Sequence, residues 1–158
     1  MISKTIELNA KQDTRDLAAR IAPLLEPGDV IRLYGDLGSG KTFFASALGR
    51  ELGIEEFLDS PSFVLLKEYQ ARDFPLYHLD LYRLKRTEDL NELGLFDILE
   101  SGVTLIEWPE LASGVIPERM LNLDLRFSYD GRRRTVEVLA RGRFSGYFDE
   151  HQSNGRFE

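Results

Sequence analysis

Between the apolar run Val30-Ile31-Arg32-Leu33-Tyr34 and the segment Phe43-Phe44-Ala45-Ser46-Ala47-Leu48 lies Gly35-Asp36-Leu37-Gly38-Ser39-Gly40-Lys41-Thr42. This is a complete G-x-x-x-x-G-K-[ST] string set between a strand and a helix, the order that a phosphate-binding loop requires. Each part has a physical task. The glycines, Gly38 and Gly40 among them, let the backbone N–H groups, including that of Ser39, curl around a phosphate. The start of the following helix adds its positive dipole end. Lys41 supplies the cation for the β- and γ-phosphates, and the Thr42 hydroxyl is a magnesium ligand. The alternative, glycines that only shape a strand-to-helix turn, leaves the adjoining Lys-Thr pair unexplained.

The rest of the composition narrows the context. A chain of 158 residues, 42% hydrophobic, is long enough for one cored domain and too short for a phosphate-loop domain plus a second large one. The expectation is a domain over residues 1–143 and a loose, polar tail over 144–158. No apolar run reaches membrane-spanning length. The opening residues Met1 to Leu8 alternate like a strand, without the apolar stretch of a signal peptide, so a cytoplasmic protein is expected. With no cysteine and only His78 and His151, disulfides, iron–sulfur clusters, thiolate zinc sites and histidine-rich metal sites are excluded. The net charge of −7, from 20 basic and 27 acidic residues, argues against a protein that grips nucleic acid by itself. The single basic cluster, Arg132-Arg133-Arg134, reads as a solvated turn between strands.

Periodicity outlines the fold. Residues 2–8 predict a strand. Leu17, Ile21, Leu24 and Leu25 mark one face of a helix that Asp13 or Thr14 would cap. Phe44, Ala47, Leu48 and Leu52 mark another, stopped by Gly53. Residues 63–69 and 75–80 predict strands whose short connection makes them an antiparallel hairpin. Residues 87–100 are helical in pattern, broken near Gly94, and Val103 to Ile106 form a short apolar strand. Two last strands, about 120–128 and 134–140, are joined through Asp130-Gly131. The sum is an α/β fold of the phosphate-loop NTPase type, with three layers and a mixed sheet, parallel at its centre and antiparallel at its edges.

Nucleotide chemistry needs a metal contact beyond the loop and a group that positions the acceptor. In open α/β sheets such groups project from the carboxyl ends of strands. Two acids end strands in this way: Asp80 after Leu76-Tyr77-His78-Leu79, and Glu107 after Val103-Thr104-Leu105-Ile106. Spacing does not say which holds magnesium and which orients water. Ser60-Pro61-Ser62-Phe63 lies where a switch hydroxyl approaches the γ-phosphate in such proteins, and equally reads as an ordinary turn. Trp108, the only tryptophan, has three readings: over the nucleotide, toward a partner, or in the core. His78 is assigned to strand packing, with no chemistry. Asp36, which would repel phosphate if it pointed inward, is expected to face away. The guanine-reading strings N-K-x-D and D-x-x-G are absent, which favours adenine.

Taken in order, the loop, Ser60-Pro61-Ser62-Phe63, His78-Leu79-Asp80-Leu81-Tyr82-Arg83, Glu92-Leu93-Gly94-Leu95 and Ile106-Glu107-Trp108-Pro109-Glu110 resemble the bacterial TsaE (YjeE) family of small ATPases over roughly residues 5–140. The resemblance implies an accessory, magnesium-dependent ATPase that acts with TsaD-like and TsaB-like proteins. Their product is N6-threonylcarbamoyladenosine at position 37 of tRNA, which this chain would meet only through the complex. It further implies that Lys41 and the loop amides hold the phosphates of ATP, that Thr42 and Glu107 bind Mg²⁺, and that Asp80 acts on the attacking water. Thr14, Arg132 and Trp108 match positions near the nucleotide. The family usually carries threonine where this chain has Ser62; the hydroxyl survives, without the methyl that stiffens its rotamer. Two other classes remain as alternatives: a small-molecule kinase, with the three arginines as a phosphate lid, and a nucleotide-gated binding module whose hydrolysis is incidental.

Overall fold

The sheet is assembled from strands whose side chains alternate between two different cores. A computed structural model of the chain describes residues 1–59, 65–114, 121–127 and 132–150. Its strands are β1 (Ile2–Leu8), β2 (Val30–Tyr34), β3 (Leu66–Gln70), β4 (Pro75–Asp80), β5 (Val103–Glu107), β6 (Leu121–Phe127) and β7 (Arg134–Ala140). They form one seven-stranded sheet in the order β1-β7-β6-β2-β5-β4-β3. β2 runs parallel to β5 and β6, and β4 parallel to β5, while β1, β7 and β6 pair antiparallel, as do β3 and β4. The expected parallel centre with antiparallel edges is therefore the observed sheet.

The helices α1 (Lys11–Ile21), α2 (Lys41–Glu51) and α5 (Arg143–Glu150) share one core with the sheet. Leu17, Ile21, Phe44 and Leu48 meet Ile31 and Leu33 of β2, Leu76 of β4 and Leu105 of β5 there. α3 (Asp89–Glu92) and α4 (Leu95–Ser101) cover the other face, where Leu90, Leu95 and Leu99 pack with Val30, Tyr77, Leu79 and Ile106. The two apolar sets of β4, Leu76 and then Tyr77 and Leu79, thus fall on opposite faces, as the period of two demands. It follows that His78 and Asp80 lie on the α2 side of β4. By the same alternation Glu107 lies on the α2 side of β5 with Leu105.

Local chemistry explains where the elements depart from the sequence pattern. Neither Asp13 nor Thr14 is the N-cap of α1. The helix starts at Lys11, and Asp13 works from inside the first turn, where its carboxylate accepts the Ala10 N–H at 2.8 Å. The α-helical ladder stops at Ile21, and Ala22–Leu24 continue as a single 3₁₀ turn around Pro23, which has no N–H to donate. The pattern over 87–100 is two short helices separated by Gly94 at φ 66°. β3 is described only from Leu66, and the segment Ser60–Phe63 and the Asp130-Gly131 turn lie outside the described residues.

The main correction concerns the end of the chain. Residues 144–150 are not loose: with Arg143 they form α5, and Phe144 and Phe148 are each 1% exposed in the core beneath α1 and α2. The two rings stand four residues apart, on one helical face, and that apolar pair overrides the polar composition around it. Arg143 ties the start of α5 down, donating to the Leu24 carbonyl at 2.7 Å and pairing with the buried Asp29. Residues 151–158 lie outside the described part. Among the described residues no helix is long and apolar enough to cross a membrane.

Replacing Phe148 with Ala is expected to cost about 3–5 kcal/mol of stability in chemical denaturation, the usual range for a fully buried phenylalanine. Unchanged stability would mean that α5 does not contribute to the core.

Candidate functional site

The loop between β2 and α2 is shaped by positions that only glycine suits. At Gly35 φ is 136°, and a Cβ there would come within 2.5 Å of both the Leu125 carbonyl and Ser39 Oγ. Gly40, at φ 109°, is the N-cap of α2 and offers no side chain to bond the first N–H groups of the helix. Those donors are left pointing out of the helix start, which makes an anion site of the loop. Ser39 Oγ is buried without a hydrogen-bond partner among the described residues. The Asp36 side chain is exposed, as expected for an acid that must keep away from phosphate, and its carbonyl accepts the Ser39 N–H at 3.1 Å to close the turn.

Lys41 opens α2 and is only 6% exposed. Its ammonium folds back over the loop, donating to the carbonyls of Gly35 and, at 3.1 Å, Asp36. Burial lowers its pKa, and the nearby charges of Glu107, Glu110, Asp80 and Asp36 oppose that shift. The same ammonium stands 4.3 Å from the centre of the Trp108 ring. Trp108 is the one non-glycine residue with positive φ among the described residues, at 57°. Holding a bulky residue there costs about 1–2 kcal/mol. The turn at Trp108-Pro109 thus places the indole against Lys41, with Tyr82 packed on it at 4.9 Å between ring centres. Its half-buried ring lines the cavity beside the loop and also packs against the second core.

Parallel pairing brings the two strand-end acids together. Asp80 and Glu107 are register partners at the carboxyl ends of β4 and β5. The Asp80 carboxylate accepts the Tyr82 N–H at 2.9 Å, so the turn after β4 fixes its direction. Glu107 is 2% exposed, and its Oε2 lies 2.8 Å from His78 Nε2. Gly38, Gly40, Lys41, Thr42, Asp80, Tyr82, Arg83, Glu107 and Trp108 line a single cavity of about 380 Å³. The Thr42 hydroxyl and the carboxylates of Asp80 and Glu107 are hard oxygen ligands that suit Mg²⁺ bound through one or two protein oxygens together with phosphate and water.

Two residues from the sequence reading stand apart from that cavity. Thr14 is buried on α1, on the turn where Lys11 and Arg15 lie over the Phe43 ring at the start of α2, and it is not among the lining residues. Arg132 is exposed just before β7. Within the arginine cluster it is Arg134 that reaches the loop, its guanidinium 3.6 Å from where a Cβ on Gly40 would stand. His78, assigned to packing alone, bonds Glu107; its spacing of two from Asp80 was the available signal, since it puts both on one face of β4. Nothing in the sequence marked the Tyr82–Trp108 contact.

The chain is similar to known proteins in both sequence and fold. The model of the family "threonylcarbamoyl adenosine biosynthesis protein TsaE" matches residues 8–136. Proteins named tRNA threonylcarbamoyladenosine biosynthesis protein TsaE are similar along most of the chain. That of Rickettsia bellii is 37% identical, covering 84% of this chain and 93% of its own. That of Treponema pallidum is 41% identical, covering 77% and 90%. The crystal structure of Bacillus subtilis YdiB aligns with a TM-score of 0.79 at 30% identity, over 96% of this chain and 95% of that one.

Because Trp108 is the only tryptophan and Lys41 lies on its face, nucleotide that draws Lys41 onto phosphate is expected to change the protein's tryptophan emission. A titration with Mg-ATP checks this; emission that stays constant at saturation would contradict the placement of Lys41 against the indole.

Proposed function

The chain belongs to the TsaE family of tRNA threonylcarbamoyladenosine biosynthesis, and from that premise we propose that it is the pathway's Mg-dependent ATPase. The observation that carries this reading is the convergence of Lys41, Thr42, Asp80 and Glu107 on one cavity at the start of α2. The amides of Gly38 to Thr42 and the Lys41 ammonium bind the phosphate chain, and the α2 dipole adds to their attraction. Thr42 and Glu107 hold the cation, which supplies charge neutralisation on the β- and γ-oxygens when bound. Asp80, held by the Tyr82 N–H, orients the attacking water and takes its proton. Trp108 is proposed to contact the nucleotide within the cavity, and Thr14 and Arg132, which lie outside it, to contact the parts of the nucleotide that extend beyond it, with adenine as its base.

The chain acts as an accessory subunit beside TsaD-like and TsaB-like proteins in the cytoplasm and meets tRNA only through them. Leu37 and Tyr82, at the mouth of the cavity, are 69% and 51% exposed, an apolar rim suited to a protein partner. The net charge of −7 supports indirect rather than direct contact with tRNA. The relatives' names favour this reading over a small-molecule kinase.

In a Bacillus subtilis strain depleted of its own TsaE, expression of this chain is expected to restore threonylcarbamoyladenosine in tRNA, read by nucleoside mass spectrometry. Lys41→Ala is expected not to restore it. In the purified protein, Asp80→Asn should keep Mg-ATP binding and lose about a hundredfold or more of the hydrolysis rate. Failure of the unaltered chain to restore the modification would overturn the assignment. Modification that persists with Asp80→Asn while hydrolysis stops would favour a nucleotide-gated switch instead.

A further inference from the structure

We infer that His78 is a positioning residue for Glu107: its imidazole holds one oxygen of the carboxylate so that the other is presented to the cation beside Thr42. The inference rests on the reading of Glu107 as a magnesium ligand. His78 pairs with Leu105 and Asp80 with Glu107, so His78 lies one step deeper than the acids, on the same face of the sheet. The side chains of His78 and Glu107 are 0% and 3% exposed, and Nε2 meets Oε2 at 2.8 Å. On that face Leu76 and Leu105 belong to the α2-side core, and Lys67 of β3 is the register partner of His78 on its other side. What histidine adds is the bond to Glu107.

The geometry also assigns the proton. A carboxylate accepts, so Nε2 carries the hydrogen. His78 Nε2 is therefore the donor of this pair. A glutamate side chain free in three torsions must be ordered each time it binds a cation. Hydrogen-bonding one oxygen in advance removes part of that cost, as outer partners of metal ligands commonly do, with losses of roughly 10–100-fold in metal affinity when they are removed.

The test is ATP affinity measured with Mg²⁺ and with EDTA in the unaltered chain and in His78→Leu, His78→Gln, His78→Asn and Glu107→Gln. The unaltered chain is expected to bind ATP more tightly with Mg²⁺. His78→Leu should lose about tenfold or more of that magnesium-linked gain while its affinity in EDTA stays within about twofold. Gln, whose amide nitrogen reaches the position of Nε2, should restore most of the gain, and the shorter Asn should not. Should the Leu variant fail to fold, the Gln–Asn contrast carries the test. ¹⁵N spectra of the unaltered chain should report a proton on His78 Nε2 before and after Mg-ATP. The inference is overturned if Glu107→Gln loses the gain while His78→Leu and His78→Asn keep it, or if His78 is the Nδ1–H tautomer. If Glu107→Gln itself keeps the gain, the magnesium reading of Glu107 falls, and this inference with it.

Discussion

The arrangement depends on one constraint: β2 must become α2 within a few residues while leaving the first amides of the helix without internal partners. Gly35 makes the turn possible, because a side chain there would strike the Leu125 carbonyl and Ser39. Gly40, with no side chain to cap the helix, leaves the amides directed at the solvent side of the loop. The sheet supplies the rest of the geometry. β2 is flanked by β5 and β6, so the loop emerges beside the carboxyl end of β5, and β4 lies one strand further on. Glu107 and Asp80 are thus brought to the loop by strand order rather than by proximity in sequence.

Charge balance at this point is tight. Lys41 is buried, which disfavours its charged form, and four carboxylates offset only part of that cost. The Glu107 carboxylate is more deeply buried than Lys41 and is bonded to His78. In the proposed nucleotide complex, phosphate oxygens would replace the carbonyls that Lys41 bonds, and a cation would balance the carboxylates. The strained Trp108, which packs on Tyr82 and lies under Lys41, closes one wall of the cavity. Strain of this kind persists where surrounding contacts over-determine the backbone, and here those contacts are the two aromatic rings and the Pro109 turn.

Most of this was legible from local patterns. The glycine loop, the apolar runs that end in Asp80 and Glu107, and the hairpins could be read because each is encoded within about ten residues. Two features were not. Gly146 and the charged residues around it hide the Phe144–Phe148 pair of α5, whose value appears only once the sheet offers a surface to bury it. His78 resembles a packed strand residue until β4 and β5 are set in register, for its partner is 29 positions away. Likewise, which arginine of the Arg132–Arg134 cluster approaches Gly40 depends on how β7 pairs with β6.

The central claim is that loop amides, one ammonium and one hydroxyl converge on a triphosphate tail with its magnesium. Calorimetry of the folded, purified protein titrated with Mg-ATP tests it most directly. Saturable heat at one nucleotide per chain is expected, abolished by Lys41→Ala in a variant whose circular dichroism is unchanged. Absence of heat with every Mg-nucleoside triphosphate, with the protein alone and beside TsaD-like and TsaB-like partners, would contradict it.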